Sequence, residues 1–220
     1  ESRKLAWINT VIAHYGEGRW YLCVDADELL VFDQSETRSI DELISSVSAR
    51  GIERVLGFMI DMYAEGPLLR YIYKPHESLA EAFSLFDGGG YEETPTNAAP
   101  FIKGGPRMRA FGHAHEDFDP LLTKFPLFRN RAEDTLCSPH FIWPYEKNFA
   151  SPRLIGLLHF KFTEEFAAKT KDAVDRKVFY KGSFEYSCYQ KILRENIDLE
   201  LVYPRTRRFQ LPRDLVESGL

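Results

Sequence analysis

The sequence predicts an α/β fold in which a largely parallel sheet is flanked by helices. Two apolar runs of strand length, residues 20–24 and 54–62, alternate with helical patterns at 3–15 and 40–50. Strands that alternate with helices are typical of parallel sheets, whose strands are covered on both faces. The 220 residues, 44% hydrophobic and 14% aromatic, suffice for one folded unit. We therefore expect a single domain, residues 1–220.

The first half of the chain carries the clearest signals for individual elements. Apolar side chains recur at helical spacing over residues 3–15, and glycines follow. The next run, 20–24, is nearly all apolar, which predicts a central strand. Ser39 and Glu42 match a capping box, which predicts the start of the second helix. Residues 54–62 then predict a second buried strand.

The second half is predicted to hold shorter elements. The Gly- and Pro-rich residues 86–107 indicate an irregular excursion over the carboxyl edge of the sheet. Short strands are expected after it, at 107–111, 124–129, 136–142 and 154–162. Amphipathic helices are expected at 166–180 and 184–196.

Charge and cysteine content exclude several classes of protein. The net charge of −5 gives no support for nucleic-acid binding, which usually requires a basic face. The three cysteines, Cys23, Cys137 and Cys188, lie far apart, which disfavours a disulfide framework and favours a reducing compartment. No apolar run approaches the roughly 20 residues that cross a bilayer. We therefore expect a cytoplasmic protein without nucleic-acid partners or a transmembrane segment.

The strongest chemical signal is an acidic triplet directly after the first predicted strand. Asp25, Asp27 and Glu28 place three carboxylates within four residues, and their mutual repulsion calls for a cation. Mg²⁺ and Mn²⁺ prefer carboxylate oxygens and commonly bridge to phosphates. Because ligands of open α/β sheets bind beyond the carboxyl ends of strands, this pattern predicts a metal site near phosphate.

Two histidine patterns add candidate ligands. His159 is polar within an otherwise apolar strand, so it is interpreted either as a core histidine or as a ligand of the same metal ion. His113 and His115 would face one side of a strand. Their flanking glycine and proline residues favour a solvated loop instead.

Several motifs, taken in order, resemble those of the bacterial glycosyltransferase family 2-like proteins. They include the segments Tyr15-Gly-Glu-Gly-Arg-Trp20, Asp25-Ala-Asp-Glu28, Asp61-Met-Tyr63, Gly104-Gly-Pro-Arg-Met-Arg109, Lys124-Phe-Pro-Leu127, Ser138-Pro-His140 and Leu158-His-Phe-Lys-Phe162. A looser similarity extends to family 92 glycosyltransferases. The resemblance covers essentially the whole chain and depends on order and spacing, not on one motif.

The resemblance implies a GT-A-like mixed sheet that lacks its first nucleotide-binding strand and helix, since family members usually carry those before the segment matched here. It also implies a nucleotide-sugar donor, first of all a UDP-sugar, a carbohydrate or glycan acceptor, and Mn²⁺ or Mg²⁺. The carried-over metal residues are Asp25, Asp27 and His159. The carried-over donor-site residues are Asp25, Lys124 and His140, and Arg107 is a candidate phosphate partner. For a bacterial member, peripheral association with the inner membrane is an alternative to a free cytoplasmic location.

The expected reaction is displacement at the anomeric carbon of the sugar, in which the metal ion stabilises the leaving diphosphate. A carboxylate would deprotonate the acceptor hydroxyl. Asp61, at the end of the second strand, is the first candidate for this base, followed by Glu116 and Asp117. Two alternatives stay open at this point. One is a metal-dependent hydrolase that uses Asp25 and Asp27 with His113 and His115, and the other is a non-catalytic carbohydrate-binding module.

Overall fold

The structure is a computed structural model that describes residues 2–74, 76–138, 140–177 and 179–220. The described residues form a mixed α/β fold. The helices are α1 (Ser2–Tyr15), α2 (Ile40–Ala49), α3 (Leu79–Ala82), α4 (Gly105–Phe111), α5 (Glu146–Phe149), α6 (Phe166–Arg176), α7 (Tyr180–Glu195) and α8 (Arg213–Glu217). The strands are β1 (Trp20–Leu22), β2 (Glu28–Phe32), β3 (Arg54–Asp61), β4 (Leu85–Asp87), β5 (Tyr91–Pro95), β6 (Pro100–Gly104), β7 (Thr123–Arg129), β8 (Thr135–Ser138), β9 (Phe141–Trp143), β10 (Arg153–His159) and β11 (Thr206–Arg208).

The chain divides into two compact units, each assembled from separate segments. The first unit contains residues 1–59, 92–102 and 122–157, and the second contains 60–91, 103–121 and 158–220. The expectation of one domain stays a prediction.

The first unit is built on a five-stranded mixed sheet. Its strand order is β1-β7-β3-β10-β2. The antiparallel pairs β1·β7 and β3·β7 correct the expectation of parallel strands. The prediction for β3 is confirmed, because all its residues are buried. Gly57 in this strand lies so close to Pro126 of β7 that a Cβ would come within 2.7 Å of the proline ring.

The strands β1 and β2 follow each other in the chain but form opposite edges of this sheet. Across a flat sheet, four strand spacings amount to about 19 Å. The link between Leu22 and Glu28 could span about 20 Å only if fully extended. It instead contains a turn, in which the Glu28 amide donates to the Asp25 carbonyl at 3.1 Å. The sheet is therefore curled, so that its two edges approach each other.

The predicted central position of residues 20–24 is wrong, since β1 is an edge strand of three residues. Leu22 and Val24 keep 49% and 39% exposure. The run is apolar because other parts of the chain partly cover this edge strand. The Tyr21 ring stacks on Phe128, and its hydroxyl donates to the Ile12 and Gly16 carbonyls of α1 and the residues after it.

A buried arginine joins the sheet of the first unit to a small hairpin. The Arg54 guanidinium, 2% exposed, bonds Asp134 Oδ1 at 2.7 Å and Asn148 Oδ1 at 2.8 Å. It also donates to the carbonyls of Ile142 and Pro144. The strands β8 and β9 of this hairpin replace the single strand predicted at 136–142. Pro139, between them, lies outside the described residues.

The second unit has an aromatic core between α4, α6 and α7. Phe111, Phe162, Phe166 and Tyr189 are nearly fully buried and contact one another at centroid distances of 4.8–6.1 Å. The strands β4 and β11 form an antiparallel pair beside this core. The predicted helix 166–180 ends earlier, at Arg176.

Two other predictions for this part of the chain need correction. Residues 107–111 were predicted as a strand, yet they lie in α4, which begins at Gly105, directly after Gly104, and has Pro106 in its first turn. Proline is favoured in the first helical turn because the N–H group that it lacks would have no acceptor within the helix there. The excursion at 86–107 is less irregular than expected, since β5 and β6 pair with each other within it.

Candidate functional site

The acidic turn, Asp25–Glu28, lies in the first unit between β1 and β2. The antiparallel register of β1 and β7 pairs Leu22 with Leu127, and the Cys23 amide donates to the Pro126 carbonyl at 2.8 Å. Continuing this register along the chain brings Asp25 opposite Lys124. Lys124, the second residue of the buried strand β7, is thereby directed at the turn.

Lys124 pairs with two carboxylates of the acidic turn. Its ammonium group is 2.7 Å from Asp25 Oδ2 and also pairs with Glu28 Oε1. The side chains of Lys124 and Glu28 are 5% and 1% exposed. Lys4 of α1 forms a second, more exposed pair with Asp25 Oδ1. Burial alone would raise the pKa of Asp25, but Lys124 and Lys4 outweigh it and hold this pKa at about 2.

The donor chemistry of the acidic turn fits a hard divalent cation, because carboxylate oxygens are what Mg²⁺ and Mn²⁺ prefer. Asp27 is half-buried within the same turn. A metal ion at Asp25 would compete with the ammonium groups of Lys124 and Lys4, which already pair with this carboxylate. Across the described ranges, no group of three or more His, Cys, Asp or Glu side chains is arranged to hold a metal ion. The predicted metal site therefore stays a prediction.

His140, predicted to line the donor site, contacts the residue that precedes Lys124 on β7. Its Nδ1 is 2.6 Å from the carbonyl oxygen of Thr123, the residue before Lys124 on β7. The Thr123 hydroxyl in turn donates to the Pro100 carbonyl and accepts from the Ile102 amide. The structure thus brings Asp25 into contact with Lys124, and it places His140 against Thr123, the neighbour of Lys124 on β7.

The second unit contains a buried charge cluster around Asp61, Arg107 and His159, to which the partly exposed Lys161 and Glu185 also belong. Asp61, at the end of β3, is 1% exposed. Its Oδ2 accepts from Arg107 Nε at 2.7 Å, and its Oδ1 lies 2.6 Å from His159 Nδ1. Burial would raise the pKa of Asp61, but Arg107 and His159 hold it at about 2.

This geometry disfavours Asp61 as the catalytic base. Both carboxylate oxygens are engaged, and a carboxylate of such low pKa accepts a proton poorly at neutral pH. The arrangement resembles instead the carboxylate–histidine pairs that fix the orientation of an imidazole. The sequence analysis named His159 as a metal ligand and Arg107 as a phosphate partner, but it did not predict their shared contact with Asp61.

Glu185 on α7 completes this cluster and was missed by the sequence analysis. Its Oε1 is 3.6 Å from both Arg107 Nη1 and Lys161 Nζ, and it accepts from the Tyr189 hydroxyl. Burial opposes ionisation, but the neighbouring Lys161 and Arg107 lower the pKa of Glu185 to about 2. The signal in the sequence was a glutamate one turn before a tyrosine on the apolar face of a helix.

The remaining candidates lie on the surface of the second unit. Glu116 and Asp117 are exposed in a turn, and the Asp117 amide donates to His115 Nδ1 at 3.0 Å. His113 belongs to a 3-10 turn at Gly112–Ala114. Since neither histidine is on a strand, the argument that they share a face does not apply.

Comparison of the chain with protein-family models, with curated proteins and with solved structures finds no match. No helix in the described part of the chain has the length and apolar character needed to cross a membrane.

Proposed function

We propose that the chain is part of a glycosyltransferase that moves a sugar from a nucleotide-diphosphate donor to an acceptor hydroxyl. The proposal includes a GT-A-like arrangement of the mixed sheet and Mn²⁺ or Mg²⁺ at the acidic turn. The observation that carries it is the acidic turn itself, a Asp-Ala-Asp-Glu sequence that joins two strands of a curled sheet and faces a buried lysine.

The ion pairs of the acidic turn support the proposed metal site. Asp25 and Glu28 both pair with Lys124, while Lys4 supplies a second, exposed cation to Asp25. A divalent ion bound by Asp25 and Asp27 would replace the exposed ammonium of Lys4, which costs little because surface ion pairs contribute about 0–1 kcal/mol. When bound, such an ion stabilises negative charge on a leaving diphosphate.

Lys124 has a separate role in this proposal. Its buried ammonium fixes the carboxylates of Asp25 and Glu28, and the Glu28 carboxylate also accepts from the Asp25 amide at 3.0 Å. The turn is thus held in one conformation before any ligand arrives. Such preorganisation lowers the entropic cost of binding.

In the second unit, Asp61 is assigned to positioning His159 and Arg107, not to proton abstraction. Glu116 and Asp117 remain the candidates for the base, because both are exposed carboxylates. The participation of His159 as a metal ligand also remains a prediction.

The experiment is calorimetric titration of the full-length natural protein with UDP, in the presence and absence of Mn²⁺, followed by assays of UDP-sugar hydrolysis. Asp25→Asn and Asp27→Asn are expected to abolish the binding that depends on Mn²⁺. The matched control is Asp33→Asn, which removes an exposed carboxylate just after β2. Metal-dependent binding that survives in both turn variants, or that is absent from the natural protein, would overturn the proposal.

A further inference from the structure

The second unit contains an open cleft of about 270 Å³, apart from the buried charge cluster. We call it the arginine cleft. The lining residues that matter are Asp87, Gly89, Gly90, Arg109, Tyr203 and Arg205. Its volume is slightly below the 300 Å³ or so at which small-molecule sites begin, so it suits one small ligand or one group of a larger ligand.

One wall of the arginine cleft is fixed by a chain of contacts. Arg109 forms a bidentate pair with the buried carboxylate of Asp87, at 3.0 Å and 2.9 Å. Its guanidinium also lies 4.0 Å from the centroid of the Tyr203 ring. The Tyr203 hydroxyl in turn donates to the Gly89 carbonyl at 3.2 Å. Because each group is held by the next, this wall is set before a ligand binds.

The lining of the cleft also carries a cation that is not balanced. Arg205 forms no ion pair or side-chain hydrogen bond with any residue in the described ranges. Its guanidinium lies against the glycine loop, Gly88–Gly90, where a Cβ at Gly89 would overlap it. Since Arg109 is neutralised by Asp87, the lining keeps one net positive charge in a chain whose net charge is −5.

The glycine loop adds unsatisfied donors. In the part of the chain that the structure describes, the amides of Gly89 and Gly90 donate to no acceptor. Gly90 has φ of 81°, which glycine adopts without strain. Backbone amides next to an unpaired guanidinium are the donors that proteins use for oxyanions.

We propose that the arginine cleft binds a phosphate group, held by Arg205 and by the amides of Gly89 and Gly90. The guanidinium would donate two parallel hydrogen bonds to two phosphate oxygens, as its planar geometry favours. The room left in the cleft would take the organic part of a phosphate ester. This site does not depend on the proposed transferase activity.

The test is a titration of the ¹⁵N-labelled chain with inorganic phosphate, followed through the amide resonances of Gly89 and Gly90. We expect saturable shifts at both amides. Arg205→Ala should weaken binding about tenfold or more, because one charge-assisted bidentate contact is lost. The matched control is Arg207→Ala, which removes the same charge two residues away but does not line the cleft. Binding in the control should change less than about twofold, as expected for a screened surface charge.

Parallel titrations with a hexose phosphate and with the same hexose lacking phosphate identify the source of the phosphate. Tighter binding of the ester than of inorganic phosphate assigns the cleft to a phosphorylated metabolite, and the reverse assigns it to the free ion. The proposal is overturned if no shift occurs, if the unphosphorylated hexose binds equally well, or if Arg205→Ala and Arg207→Ala weaken binding to the same extent.

Discussion

Replacing Asp61 with asparagine tests whether the buried charge cluster is held together by this carboxylate. The Arg107 and Asp61 side chains are 4% and 0% exposed, and their atoms are 2.7 Å apart. In Asp61→Asn the arginine loses its main counter-charge without gaining water. Removal of one partner from a buried pair costs about 3–5 kcal/mol. Glu185, at 3.6 Å from Arg107, offsets part of this loss, so we expect about 3 kcal/mol.

The matched control is Asp198→Asn, the same substitution in an exposed pair. Arg70 and Asp198 are 2.5 Å apart, but their side chains are 65% and 56% exposed. Such a pair contributes about 0–1 kcal/mol. Urea unfolding, followed by circular dichroism at neutral pH, gives the free energy of unfolding of each variant. If Asp61→Asn is within about 1 kcal/mol of the control, the cluster does not depend on this charge.

The pH dependence of the same measurement provides a second check. The pKa of Asp61 falls from 3.8 to about 2 on folding, which corresponds to about 2 kcal/mol of stability. This contribution is complete above the unfolded-state pKa and is lost as pH falls toward 2. The difference between the natural chain and Asp61→Asn should therefore narrow below about pH 4. A difference that stays constant from pH 6 to about pH 2 would refute the reasoning.

Three further substitutions have expected outcomes. Lys124→Met should cost about 3 kcal/mol in urea unfolding, because two carboxylates lose a buried cation, whereas Lys4→Met, in an exposed pair, should cost less than about 1 kcal/mol. Equal losses of stability in the two variants would contradict the burial of the Lys124 ion pairs. Gly104→Ala should destabilise the chain by more than about 2 kcal/mol, since its φ is 122° and a Cβ would overlap a neighbouring carbonyl oxygen. Gly16→Ala, at φ 87° with open space around it, should cost about 1 kcal/mol and is the control. Arg54→Met should lower the melting temperature by about 10 °C in calorimetry, because the carboxylate and the carbonyls that it binds lose their donor. An unchanged melting temperature would show that packing alone holds the hairpin.

Local patterns in the sequence were sufficient to predict several elements. The helix α1, the capping box at Ser39 and Glu42 and the buried strand β3 are confirmed. Each depends on neighbours within a few residues, through helical spacing, cap hydrogen bonds or a continuous apolar run. These signals do not require knowledge of distant parts of the chain.

Predictions that depended on strand order or on distant contacts were weaker. A short apolar run does not reveal whether a strand is central or at an edge, so the position of β1 was predicted wrongly. Lys124 was correctly placed near Asp25, but through a family resemblance; the register that brings them opposite each other is not visible locally. The contacts of Asp61 with Arg107 and of Glu185 with Lys161 join residues far apart in sequence.

The curl of the sheet has a consequence for any ligand of the acidic turn. The turn is the only covalent link between the neighbouring ends of β1 and β2, and these strands are the two margins of the sheet. A ligand that stiffens the turn would restrain both margins at once. Amide hydrogen exchange in β1 and β2 should then slow together when the ligand binds. Ligand binding at one turn would thus reduce the motion of two strands that are separated by three others in the sheet order.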